Sequence, residues 1–339
     1  MKSYKIYSLH TIKAEESEAQ PVGENCVKLK NLICGISSAD IGVYTGKIPV
    51  QFPIIPVRQC VGFVSEVGSA VTGLSRGDRV VTYPQASCHS CKSCKEGKYY
   101  DCEKPNMFGL KENGFLSDFS VVSADDVYAI PDRLKNEEAI YTEHTAMAMK
   151  VMAGLGVDKG DHLIIVGATS VGIILAQVAM YYQAVPIVVD MHEEMLGKAR
   201  AAGVYYTINA VSEDVGKKIL ALTGGHMGDA CAYFISSKMP LKNIIDYTAR
   251  RGKIALVGTS NGYDLNCNLA GFIEKNLDIV TVSDCGKNYP SAINMLANHT
   301  VKVDMLNQYT ISFNDVAAEF EKLGASEGDG GNEKILVKI

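Results

Sequence analysis

Four cysteines stand within fifteen residues, as Cys88-His-Ser-Cys91-Lys-Ser-Cys94 followed eight residues later by Cys102. Such spacing lets one short segment converge four thiolates on one point. Four sulfurs with no histidine among them describe a closed, tetrahedral structural zinc site, which has no open position for chemistry. Six other cysteines are scattered (Cys26, Cys34, Cys60, Cys231, Cys267 and Cys285). In a reducing compartment a cluster of this kind holds metal rather than disulfides. The bland alternative is a loop of four uncombined thiols.

A second pattern is the segment HLIIVGATSVGIILAQVA (162–179), which reads as a strand, a tight turn and a helix. Gly167 ends the strand, and Gly172 falls where helix and strand pack closely. Thr169 replaces the middle glycine of the usual G-x-G-x-x-G, so the motif alone is weak. Its context strengthens it. The N–H groups at Ser170, Val171 and Gly172 open a helix, whose positive end suits a pyrophosphate. The next apolar run ends in Asp190, 23 residues after Gly167, where a carboxylate can accept from ribose hydroxyls. Asp190 would repel a 2′-phosphate, which favours NAD(H) over NADP(H). The competing reading is a glycine-punctuated turn that binds nothing.

Taken together these features resemble the zinc-containing alcohol dehydrogenases of the medium-chain dehydrogenase/reductase superfamily, in the style of sorbitol and threonine dehydrogenases. The resemblance runs nearly end to end. It includes CGISSADIGVYTG (34–46), GFVSEVGSAVTGLSRGDRVV (62–81), the cysteine lobe, ENGFLSDFSVV (112–122), TEHTAMAM (142–149), the glycine turn and ARRGKIALVG (249–258). It implies a β-rich GroES-like catalytic domain, a Rossmann domain and a cleft between them. It also implies a small-molecule substrate, assembly as a homodimer or homotetramer, and cofactor contacts at Val257 and Gly258.

The departures from the family fall on its catalytic zinc. Family members hold that ion with a Cys three residues before an Asp; here the Asp is Asp40, and Ser37 stands in the ligand position. The histidine of the G-H-E-x-x-G run is replaced by Arg58, and its glutamate by Gln59. A glutamate can serve as third ligand, and Glu143 fits. The relay positions flanking the Asp are Ala39 and Gly42. One ligand of three survives, and a guanidinium, which offers no lone pair, sits in the metal's place. The expectation is therefore one structural Zn2+ and no catalytic one, unless Cys34, Cys60 or His144 rebuilds the site. Arg58, Tyr44, Glu143 and Ser37 are the candidate catalytic residues. Tyr44 matches a cleft position where a phenol could donate a proton, or it is an apolar wall residue. Arg58 and Glu143 are expected to pair, as an electrophilic site or as a plug filling a vacated metal site.

The elements that must position these groups follow from apolar periodicity. Up to about residue 150 the chain reads as short strands with turn signals, such as 61–67 and 79–83. From 162 onward, apolar runs at 162–166, 187–190, 205–208, 230–235, 253–257 and 278–283 alternate with helix-length stretches near 171–183, 192–202, 213–222 and 240–250. This alternation predicts a doubly wound parallel α/β sheet. Residues 289–339 are expected to rejoin the first domain, giving a catalytic domain over 1–150 and 289–339, with its zinc lobe at 86–104. The Rossmann domain is expected over 151–288. The stretch 324–332 reads as a flexible loop.

The 339 residues carry a net charge of −5 and no Lys/Arg-rich run, which argues against a nucleic-acid partner. The N-terminus lacks the apolar core of a signal peptide, and no apolar run is long enough to span a bilayer. A cytoplasmic protein without a membrane partner is expected. Three functions stay open. One is a zinc-independent NAD(H) oxidoreductase acting on a ketone, a secondary alcohol or a conjugated C=C bond. The others are a polyol or secondary-alcohol dehydrogenase with a rearranged metal site, and a nucleotide-binding protein that has lost catalysis.

Overall fold

The computed structural model describes residues 1–18, 20–235, 239–258, 269–325 and 334–339, with nothing taken from the side chains of 307 and 308. Cys267 and the expected loop from 326 to 332 lie outside the described residues. The chain divides into two compact units, Met1–Glu143 with Asn307–Ile339, and His144–Leu306. The sequence reading sets the boundaries at 150/151 and 288/289, whereas the structure divides within the helix Thr142–Leu155 and after Leu306. Residues just past 289 stay with the second unit for a local reason. Gln177 donates to the Lys302 carbonyl at 2.9 Å and accepts the Lys302 N–H at 2.8 Å, tying that segment to the helix Ser170–Tyr181.

The first unit is built on a seven-stranded sheet. Along it run Asn307–Ser312, Lys334–Lys338, Cys26–Ile36, Cys60–Val67, Arg79–Thr82 and Val127–Ala129, and Phe119–Ser123 also pairs with Cys26–Ile36. All pairings are antiparallel except that of Asn307–Ser312 with Lys334–Lys338. Alternation of apolar residues along the strands buries one face. Val27, Leu29, Val64 and Val80 join Phe115, Leu116 and Phe320 in one core. The C-terminal strand lies beside Cys26–Ile36, with Ile335 opposite Ile36 and Leu336 opposite Gly35. It thereby places Lys334, its first residue, one strand in from the sheet edge.

The second unit is a six-stranded, fully parallel sheet in the order Tyr206–Asn209, Val185–Asp190, His162–Val166, Gly228–Phe234, Thr248–Val257, Asp278–Val282. Numbered along the chain this is 3-2-1-4-5-6, the dinucleotide-fold order whose strand reversal lies beside the first strand. The central strands are apolar on both faces, as a helix-covered parallel sheet requires. Leu163, Ile164, Ile165 and Val166 are each 0% exposed. The helix expected at 240–250 ends at Tyr247, because the next strand begins at Thr248. That strand shifts register after its pairing with Gly228, near Arg251, which has φ +64°. Among the described residues no helix is long and apolar enough to cross a membrane.

Candidate functional site

The cysteine lobe brings its four sulfurs within 4.8 Å of one another. Cys91 caps the short helix Lys92–Lys95, its sulfur accepting the Cys94 N–H at 3.4 Å. Cys102 returns to accept the Cys88 N–H at 3.3 Å. Tetrahedral zinc with Zn–S bonds of about 2.3 Å needs sulfurs about 3.8 Å apart, so the donor set fits. The thiols crowd one another. The Ser90 backbone beside Cys88 pulls its thiol down to about 5, while burial and the neighbouring sulfurs push Cys94 up to about 12. Four thiolates cannot share so small a volume unless a cation sits among them. His89, between the first two cysteines, is exposed.

The residues expected to meet a nucleotide gather at the carboxyl ends of the parallel strands. Gly167 takes φ +110°, and its N–H goes to the Val189 carbonyl at 2.8 Å. A side chain at Gly172 would meet the Gly167 carbonyl at 2.2 Å, so helix and strand approach as closely as only glycine permits. Thr169 is the N-cap of Ser170–Tyr181, and its hydroxyl accepts the Gly172 N–H at 3.0 Å. The Thr169 hydroxyl thus caps the helix as an acceptor, a role that leaves its own O–H donor unused by the cap. Asp190 ends its strand with both oxygens engaged, accepting from Ala168 N at 2.6 Å and from His192 N and Nδ1 at 2.9 Å each. Val257 and Gly258 end the fifth strand, with Gly258 at φ +123° and its N–H on the Val282 carbonyl at 3.0 Å. A helix N-terminus beside a strand-end acid fits a dinucleotide's pyrophosphate and ribose.

The third constellation lies in the first unit. Arg58 Nε donates to Glu143 Oε1 at 2.9 Å, and Gln59 Nε2 donates to Glu143 Oε2. Glu143 is 5% exposed and Gln59 3%. Ser37 gives both its N–H and its hydroxyl to Asp40 Oδ2, at 2.8 and 2.7 Å, and Asp40 Oδ1 accepts Val57 N–H at 2.9 Å. Val57, at the position the family motif gives to glycine, keeps a glycine-like φ of +73° while fully buried. Left-handed backbone costs a β-branched residue roughly 1–2 kcal/mol. It is held by the Asp40 bond and by Phe115 N–H on the Val57 carbonyl at 2.7 Å. Strain of this kind is tolerated where neighbours over-determine the backbone.

Lys334 completes the group and was not singled out from the sequence. It is 2% exposed, its Nζ lies 5.5 Å from the Tyr141 ring centroid, and among the described residues it has no hydrogen-bond acceptor. Its stem needs the missing side chain of Gly35, where a Cβ would stand 2.6 Å from Lys334 Cδ. Burial pulls the ammonium down to about 7; Glu143 and Asp40 oppose the shift and Arg58 adds to it. Gln59 was noted only as the residue replacing a glutamate, yet it supplies half of the Glu143 anchoring.

Tyr44 does not join this group. Its ring is 2% exposed, packed edge-on against His10 and Phe320 at 5.3 and 5.6 Å, and its hydroxyl donates to the His10 carbonyl at 3.1 Å. That is the packing arrangement, so Tyr44 is not carried forward as a proton donor. Ser37 likewise turns its hydroxyl to Asp40. Cys34 and Cys60 are neighbours across two strands, but both are fully buried and turned to carbonyls, those of Phe115 and Val61.

Comparison with known proteins agrees with the two-part architecture. Residues 23–132 match the family model described as alcohol dehydrogenase GroES-like domain, and residues 170–298 match zinc-binding dehydrogenase. An uncharacterized zinc-type alcohol dehydrogenase-like protein of Haemophilus influenzae is 29% identical over 86% of each chain. Sorbitol dehydrogenase of Bacillus subtilis is 27% identical over 94% of this chain and 93% of its own. A crystal structure of an alcohol dehydrogenase from Escherichia coli CFT073, complexed with NADH, superposes with a TM-score of 0.89 at 24% identity. It covers 100% of this chain and 99% of its own.

Proposed function

The chain belongs to the zinc-type medium-chain alcohol dehydrogenases, and from that premise we propose that it is an NAD(H)-dependent oxidoreductase working without a catalytic zinc. Its cofactors are NAD(H) and one structural zinc, the latter held by Cys88, Cys91, Cys94 and Cys102. When bound, the nicotinamide supplies or takes the hydride. The substrate class is a ketone and its secondary alcohol, or a conjugated C=C bond. A cytoplasmic homo-oligomer belongs to the same reading.

One observation carries the zinc-free proposal. Glu143, the one surviving family ligand, has both carboxylate oxygens bonded by side chains of the same chain, Arg58 and Gln59. A metal at that place would have to displace a guanidinium that cannot be deprotonated away. Charge developing on a substrate oxygen must still be stabilised, which is commonly a large part of catalysis. Arg58 is the group suited to it. It meets Glu143 through Nε, its other N–H donors are on the Nη nitrogens, and its side chain is 21% exposed. A monocation polarises less than a divalent metal, so the site suits substrates whose charge is delocalised, as in an enolate.

The Arg58–Glu143 pair fits equally the reading in which it plugs a vacated metal site, and a substitution separates the two. NADH oxidation is followed with a panel of ketones, polyols and enones. Arg58→Met is expected to lower turnover about a hundredfold or more, the scale for losing one preorganised donor, with NADH affinity unchanged. Wild-type turnover in Arg58→Met would reduce the pair to a plug.

A further inference from the structure

Asp190 closes the strand Val185–Asp190, and its side chain is 8% exposed. One oxygen, Oδ2, accepts the Ala168 N–H at 2.6 Å. The other, Oδ1, accepts twice from the same residue: the backbone N–H and the ring Nδ1 of His192, each at 2.9 Å. A carboxylate acceptor requires the ring proton on Nδ1. His192 is also the N-cap of the helix Glu193–Ala201, yet its side chain makes no capping bond, and the ring turns back to Asp190. The imidazole is nevertheless 55% exposed.

A carboxylate presents about four lone-pair sites. Three are taken by protein donors. An adenosine ribose brings two hydroxyl donors, so full ribose recognition by Asp190 asks for one site more than remains. Two of the three protein donors are main-chain groups, fixed by the turn after Gly167 and by the bend between strand and helix. The third is a side chain, more than half exposed, that can turn about its own rotatable bonds.

We propose that the His192 imidazole is a displaceable occupant of the ribose site, holding Asp190 in the ligand-free protein and leaving it when the adenosine ribose binds. His192 is thus a positioning residue, and the inference rests on the NAD(H) reading above. NADPH brings a 2′-phosphate in place of one hydroxyl donor, so it gains nothing from the vacated site and still meets the Asp190 charge. His192 therefore sets the margin by which NADH is preferred.

The test uses calorimetric titration of the zinc-loaded full chain with NADH and NADPH. His192→Ala should bind NADH about three- to tenfold more tightly, the factor for one modest hydrogen bond no longer broken. NADPH affinity should not rise, so the preference widens. Unchanged or weaker NADH binding would overturn the proposal. A measurement on the wild type covers the case in which the substitution disturbs the helix start. In histidine-labelled protein, the His192 ring resonance should shift on saturation with NADH. It should stay in place with reduced nicotinamide mononucleotide, which lacks the adenosine. Bound NADH with an unmoved His192 resonance refutes displacement and leaves the cofactor reading standing; a wild type that binds no NADH refutes both.

Discussion

The cysteine lobe and the Arg58–Glu143 group lie in one unit, and both concentrate charge in a small volume, but they balance it by different routes. In the lobe the chain supplies only sulfur, and the balancing cation must come from solution. In the other group the chain supplies both signs: Arg58 and Lys334 against Glu143 and Asp40. The first arrangement is incomplete without metal, whereas the second satisfies itself through Arg58, Gln59 and Val57. On the zinc-free proposal, such a self-bonding group is what fills the place of a lost metal without leaving a hole. The cost is a buried lysine amine with no acceptor among the described residues and a valine with a left-handed backbone.

If the lobe depends on metal, breaking one ligand is the most damaging change. Cys91→Ala should destabilise the protein by more than about 5 kcal/mol, since structural zinc affinity is folding free energy. Thermal unfolding followed together with zinc release measures it. A variant that lost zinc yet melted like the wild type would remove the lobe from the stability argument.

The second group should break next most severely at its shared carboxylate. Glu143→Ala strands Arg58 and leaves Lys334 with less opposing charge. Removing one partner of a buried pair costs roughly 3–5 kcal/mol. Urea unfolding at neutral pH checks this, and a loss below about 1 kcal/mol would mean that Arg58 finds water instead.

Lys334 offers a finer cut. Its ammonium is held down to about 7 in the folded protein, against roughly 10.4 in an unfolded chain. Between those values the unfolded state binds more protons, so wild-type stability should rise with pH across the window and level off below about 7. Relative to Lys334→Met the slope should approach about 1.4 kcal/mol per pH unit within the window, with the variant gaining most at pH 7 and below. Parallel stability–pH curves for the two proteins would place the Lys334 proton elsewhere.

The contrast between the regions also explains what the sequence could tell. The lobe lies in one segment, so its spacing is its geometry. The glycine turn and Asp190 were legible for the same reason, since a strand–turn–helix unit fixes them locally. The pairing of Arg58 with Glu143 came from position-by-position resemblance, because 85 residues separate the two. Lys334 carried no such signal. A lysine at the start of an apolar strand reads as solvent-facing, and only the space left over Gly35, which its stem fills, shows that it is buried. Tyr44 failed as a proton donor because its neighbours His10 and Phe320 come from opposite ends of the chain. His192 escaped notice because a ring beside an acid has meaning only once its Nδ1 is seen 2.9 Å from Asp190.

The difference between the two regions comes down to metal count. Elemental analysis of purified protein should find close to one zinc per chain, falling to none in Cys91→Ala and staying at one in Glu143→Ala. A second zinc in the wild type, lost on Glu143→Ala, would contradict the account by placing a metal where Arg58 and Gln59 hold the carboxylate.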